Sequence, residues 1–134
     1  TRFFMTIQDA IRLLFDAAER SAGGEIFVMM MPALKIADLA EVLMEELGRK
    51  VKMVEVGIRP GEKIHEILLT EQEAASTVRL DAHYLVILPS LEIPGLRELY
   101  ASCPPASIER YVSSESLMDK RQIRDLLVRG GFLK

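Results

Sequence analysis

Apolar residues recur at helical spacing in three stretches of the chain. Ile7, Ala10, Ile11, Leu14 and Ala18 fall on one face of a first helix. Thr6 followed by Asp9 opens it with a capping-box pattern, and Gly23-Gly24 stops it. Ile36, Leu39, Ala40, Leu43 and Leu47 predict the inward face of a second helix over 36–47, with Gly48 as its stop. Ile123, Leu126 and Leu127 mark a last helix, opened by the pair Ser116 and Asp119 and closed by Gly130-Gly131. Strand-like runs lie between them. Residues 25–30, centred on Ile26-Phe27-Val28, read as a buried strand ended by Pro32. Residues 51–56 alternate, with Lys52 and Glu55 on the wetter side, and 84–88 form a short apolar run closed by Pro89. Pro60 stands where the first turn of a further helix would place it, ahead of Ile64, Ile67 and Leu68. Residues 71–76 suit a helical turn, and the proline-rich stretch 94–105 an irregular connection. The order helix, strand, helix, strand, helix predicts an α/β layer arrangement.

Composition narrows this picture. Hydrophobic residues make up 49% of the 134 positions and charged residues 28%, which suits a packed core and not a disordered chain. The length fits one ordinary domain or a large fragment of one. The opening Thr1-Arg2-Phe3-Phe4-Met5 is apolar and aromatic with no polar lead-in, and reads as a start in mid-strand, the mark of an excised fragment. A net charge of -3 argues against a general nucleic-acid binder, yet leaves room for a small anion held by one or two arginines. The single cysteine, Cys103, excludes an internal disulfide and a multi-cysteine metal site. His65 and His83 give no metal-ligand spacing. No apolar run is long enough to span a bilayer and no signal-peptide pattern opens the chain. The expectation is a cytoplasmic protein, with a membrane anchor elsewhere in a longer parent left open.

The strongest chemical signal is Val56-Gly57-Ile58-Arg59-Pro60-Gly61-Glu62-Lys63. An arginine set just before a helix start would join its guanidinium to orphan N–H groups and the positive end of the helix dipole, a site for phosphate. Gly61 allows close approach to the backbone, and Glu62 offers a carboxylate to ribose hydroxyls. A plain alternative stands level with this on local physics: Glu62 caps the helix and Arg59 pairs with a surface acid. Arg2, between an apolar strand-like segment and a capped helix, would emerge at a strand end near a sheet crevice, or else be an ordinary solvated arginine. Met29-Met30-Met31 reads as core or interface filling, and Ser113-Ser114 and Ser116 as turn and cap chemistry. The chain has no glycine-rich dinucleotide loop, no P-loop and no Tyr-x-x-x-Lys pair, since Tyr84, Tyr100 and Tyr111 are followed four residues on by Leu88, Pro104 and Glu115. No catalytic residue, cofactor site or metal site is assigned within it.

Four strings in order carry a family resemblance: Thr1-Arg2-Phe3-Phe4-Met5-Thr6, Gly24-Glu25-Ile26-Phe27-Val28, Lys35-Ile36-Ala37-Asp38-Leu39-Ala40, and Gly57-Ile58-Arg59-Pro60-Gly61-Glu62-Lys63-Ile64-His65-Glu66. Together they resemble the C-terminal region of nucleotide-sugar epimerases and dehydratases of bacterial polysaccharide biosynthesis. These are extended short-chain dehydrogenase/reductase enzymes, such as UDP-N-acetylglucosamine 4,6-dehydratases and capsular 4-epimerases. The resemblance implies an α/β fragment, a small mixed sheet flanked by helices, with residues 1–90 as the UDP-sugar-binding part and 91–134 as a C-terminal extension. By the same resemblance Arg2 matches an arginine that approaches the nucleotide diphosphate, Arg59 the arginine that clamps the pyrophosphate, and Glu62 the acid near the ribose. NAD(P) and the catalytic Tyr and Lys belong to the family's N-terminal Rossmann domain, the implied partner of this chain. A homo-oligomer is expected. The alternative is a stand-alone nucleotide-binding or oligomerisation module without enzymatic activity.

Overall fold

The computed structural model describes residues 1–133. In chain order it contains β1 (Arg2–Phe3), α1 (Ile7–Arg20), β2 (Ile26–Met29), β3 (Ala33–Leu34), α2 (Ile36–Glu46), β4 (Ile67–Leu69), α3 (Glu71–Ala74), β5 (Thr77–Arg79), β6 (Tyr84–Ile87), α4 (Leu96–Leu99), β7 (Tyr111–Val112) and α5 (Lys120–Arg129). The class is α/β, as the sequence predicts, but in place of the one small mixed sheet that the resemblance implies the strands are dealt into three small antiparallel sheets. Two compact units interleave along the chain. One takes Thr1–Phe4, Pro32–Glu66 and the residues from Ser113 onward, and the other takes Met5–Met31 and Ile67–Val112.

In the first unit β1 pairs with β3, Arg2 opposite Leu34 and Phe3 opposite Ala33. The Phe4 N–H donates to Pro32 O at 2.9 Å and the Met118 N–H to Ala33 O at 2.8 Å. Behind these strands α2 and α5 close a core of Leu34, Val42, Met118, Ile123, Leu126 and Leu127. The inward face of α2 is narrower than its periodicity predicts. It meets the core at Val42, Leu39 and Leu43, whereas Ile36 and Leu47 stay more than half exposed. The start of α5 also shifts. Asp119, not Ser116, is its N-cap, exchanging bonds with Gln122, and Ser116 takes a left-handed φ of 53° ahead of it. Lys120 reaches Glu41 at 2.6 Å and Arg124 pairs with Glu46, tying α5 to α2.

Two predicted elements of this unit are absent. Residues 51–56 form no strand, and no helix begins at Pro60. A strand needs a partner edge, and 51–56 meets none among the described residues, so Val51, Met53, Val54 and Val56 stand exposed. The would-be helix gives way to a turn. The Glu62 N–H donates to Arg59 O at 3.0 Å, with Pro60 and Gly61 as its central residues and Gly61 at a φ of 87°. Proline then a positive-φ glycine is the signature of a type II turn, and that glycine conformation breaks a helix path. Ile67 and Leu68, assigned by pattern to the same helix, belong instead to β4.

The second unit is built on the sheet β2-β6-β5, in which Phe27 and Val78 flank Val86. All four residues of β6 are buried, which explains its continuous apolar run. Val28, Leu69, Leu85 and Ile87 form one core cluster, and Val86, Leu96 and Tyr100 another. Of the methionine run, Met29 is buried and Met30 packs on the first cluster. The β4–β7 pair and the short α4, inside the stretch read as irregular, carry no pattern strong enough to predict them. The Thr6–Asp9 capping box is formed as predicted. The apolar face of α1 is not turned inward: Ile7, Leu14 and Phe15 are 71, 70 and 72% exposed. The helix is held by its polar side, through Tyr84 Oη to Asp16 at 2.7 Å and Arg20 to Asp81 at 2.8 Å.

Candidate functional site

Arg2, Arg59 and Glu62 all fall in the first unit. Arg2 sits on β1, and its guanidinium turns along the chain: Nη1 donates to Thr1 O at 2.7 Å and to Ile64 O at 3.3 Å, and Nε lies 3.5 Å from Glu66 Oε1. The strand therefore meets the residues that directly follow the Arg59–Glu62 turn. One residue, Lys63, separates Glu62 from Ile64, so their Cα atoms are at most about 7 Å apart. The turn is stapled by its own side chain, because Glu62 Oε2 accepts from the Arg59 N–H at 2.9 Å. Glu62 thus caps a backbone N–H, but of a turn and not of the helix that the plain reading assigns it. The Arg59 side chain is exposed and has no hydrogen bond or ion pair among the described residues. No helix dipole stands behind it, so any hold on an anion comes from guanidinium charge and geometry.

Sequence reasoning missed the polar connection that holds these residues. Ser113 is wholly buried, and its Oγ accepts from the Glu66 N–H at 2.8 Å. The same oxygen lies 2.7 Å from Thr1 Oγ1, which lies 2.8 Å from His65 Nδ1. Thr1 and Ser113 are 112 positions apart, and no local pattern announces that contact. Two cavities of this unit, of about 700 and 390 Å³, lie elsewhere and are lined by none of Arg2, Arg59 and Glu62.

Gly23, Gly24, Gly57 and Gly61 do not have the strand-to-helix setting of a dinucleotide loop. A dinucleotide loop runs from a strand through glycines into a helix. Here Gly23-Gly24 runs from α1 into β2, and Gly57 and Gly61 lead into no helix. Among the described residues no group of three or more His, Cys, Asp or Glu side chains is placed to hold a metal ion. No helix among them is long and apolar enough to cross a membrane.

An α/β chain with an arginine-bearing turn beside an arginine-bearing strand matches a known class at the level of sequence. The chain belongs to the family described as polysaccharide biosynthesis protein, whose profile matches residues 1–88. It is 37% identical over 92 residues to a UDP-N-acetylglucosamine 4,6-dehydratase (inverting) of Campylobacter jejuni, covering 69% of this chain and 26% of that enzyme. It is 37% identical over 86 residues to a UDP-glucose 4-epimerase of Rickettsia canadensis, covering 64% of this chain and 25% of that one. A solved structure described as Pen from Bacillus thuringiensis superposes with a TM-score of 0.84 at 31% identity, over 98% of this chain and 39% of its own. The resemblance read from the four motifs is confirmed, and the chain spans well under half the length of each of these relatives.

Proposed function

We propose that this chain is the substrate-binding portion of a nucleotide-sugar 4,6-dehydratase or 4-epimerase of polysaccharide biosynthesis, gripping the diphosphate of a UDP-sugar. The observation that carries the reading is the Arg59 guanidinium, presented without a partner among the described residues on a stapled turn whose following residues receive Arg2. In this reading Arg59 forks onto pyrophosphate oxygens, Arg2 adds the second charge, and the free oxygen of Glu62 accepts a ribose hydroxyl. The binding role lies in residues 1–90, and 91–134 is an extension that supports it. The chemistry and its NAD(P) belong to a dinucleotide-binding domain outside this chain, in a cytoplasmic enzyme. That domain would cover the apolar face of α1, and in the isolated chain a second copy would take its place.

Calorimetric titration of UDP into the chain tests the grip. Arg59→Ala is expected to weaken binding about tenfold or more, the scale of a lost charge-assisted pair. Arg59→Lys should recover only part of it, because an ammonium lacks the fork. Equal UDP affinity in Arg59→Ala and wild type removes Arg59 from the site.

A further inference from the structure

Ser113 lies beyond the residues that the family profile matches, yet it is wholly buried and joined to both arms of the arginine site. Its backbone N–H donates to Glu66 O at 2.9 Å while its Oγ accepts from the Glu66 N–H at 2.8 Å, so it grips Glu66 from both sides. Its Oγ also meets Thr1 Oγ1, one residue before Arg2. A hydroxyl has one proton and two lone pairs, and an amide N–H can only donate. With the Glu66 N–H on one lone pair, the Ser113 proton points to Thr1 Oγ1, which leaves the Thr1 proton free to turn to His65 Nδ1. With it there, every group is satisfied and His65 is the Nε2–H tautomer. The reverse direction leaves the buried Ser113 proton with none of these partners.

We infer that Ser113 is a positioning residue for the diphosphate grip: through Glu66 and Thr1 it locks the Arg2 strand to the segment that carries Arg59 and Glu62. The inference rests on the proposed grip. Its physical basis is that residues 51–65 form no strand ladder, so their placement relative to β1 depends on a few ties: the Thr1 amino group to Ile64 O at 2.7 Å, Arg2 Nη1 to the same oxygen, and the connection from Thr1 through Ser113 to Glu66. Two guanidiniums hold one diphosphate well only at a fixed separation.

The test uses the full chain with four variants: Ser113→Ala, Thr1→Val, Thr1→Ser, and Ile123→Val as a core control. UDP affinity, melting temperature, hydrogen exchange at the Glu66 amide and the imidazole nitrogen shifts of His65 are measured. Ser113→Ala and Thr1→Val should each weaken UDP binding about tenfold, the scale of a broken buried hydrogen bond. Ser113→Ala should also speed exchange at Glu66. Thr1→Ser restores the hydroxyl and should restore affinity and the acceptor-type Nδ1 shift, which Thr1→Val loses. Ile123→Val should lower the melting temperature and leave UDP affinity alone. If Arg2→Ala and Arg59→Ala lose UDP while Ser113→Ala and Thr1→Val bind as wild type does, the positioning role is wrong and the grip stands. If Ile123→Val weakens binding as much as Ser113→Ala, Ser113 is merely structural. If Arg2→Ala and Arg59→Ala bind UDP normally, the grip is wrong and the inference falls with it.

Discussion

Single residues show how far local pattern reaches. The Thr6–Asp9 capping box was legible because both partners lie within one turn. Ser113 was not, because its partners come from the other end of the chain. Arg59-Pro60-Gly61-Glu62 was half legible. Residue types announced an anion site, but proline before glycine suits a type II turn as well as a helix start, and the turn formed. Glu25 gives a prediction at this scale. Burial pushes its pKa up, but bonds from the N–H groups of Ala22, Glu25 itself and Gly23 and from the Tyr100 hydroxyl outweigh it, so the carboxyl titrates below its ordinary 4.5. A depressed folded pKa adds stability that is fully present above the unfolded value and is lost as pH falls through the folded one. Tyr100→Phe removes one of those bonds, at 2.9 Å, and should cost about 1 kcal/mol at neutral pH. The gap from wild type should narrow as pH drops below 4.5. Urea unfolding across that range checks it, and a gap that does not change with pH contradicts the assigned role of the Glu25 charge.

Whole elements divide by whether their partners lie in this chain. β2, β6, α2 and α5 were legible in the sequence, since each buries its apolar face against a neighbour present here. The predicted strand at 51–56 did not form and the apolar face of α1 lies exposed, for one reason. Their hydrophobic periodicity is real, but no described residue supplies the covering surface. β4 and β7, three and two residues long, are set by tertiary pairing and not by pattern. The contrast can be measured. Ile123→Ala, at a fully buried position on α5, should cost about 2–5 kcal/mol, as large-to-small core changes do. Leu14→Ala, on the exposed face of α1, should stay within about 0.5 kcal/mol at dilutions where the chain is monomeric. Denaturant unfolding of both variants decides. A Leu14→Ala loss as large as that of Ile123→Ala would mean that the α1 face is covered.

For the whole molecule, the class and family were legible and the layout was not. Motif order carried the family, because four short strings in sequence constrain more than any one of them. Interleaving of the two compact units escapes a reading along the chain, since Thr1–Phe4 joins Ser113 and its followers only through space. In the proposed function the Arg59–Glu62 turn, with Arg2, holds a nucleotide diphosphate. Amide chemical-shift mapping of the isotope-labelled chain during UDP titration tests it most directly. Saturable shifts are expected at residues 58–66, Arg2 and Ser113, with α5 and the β2-β6-β5 sheet little changed. Saturable shifts centred elsewhere, with residues 58–66 silent, would contradict it.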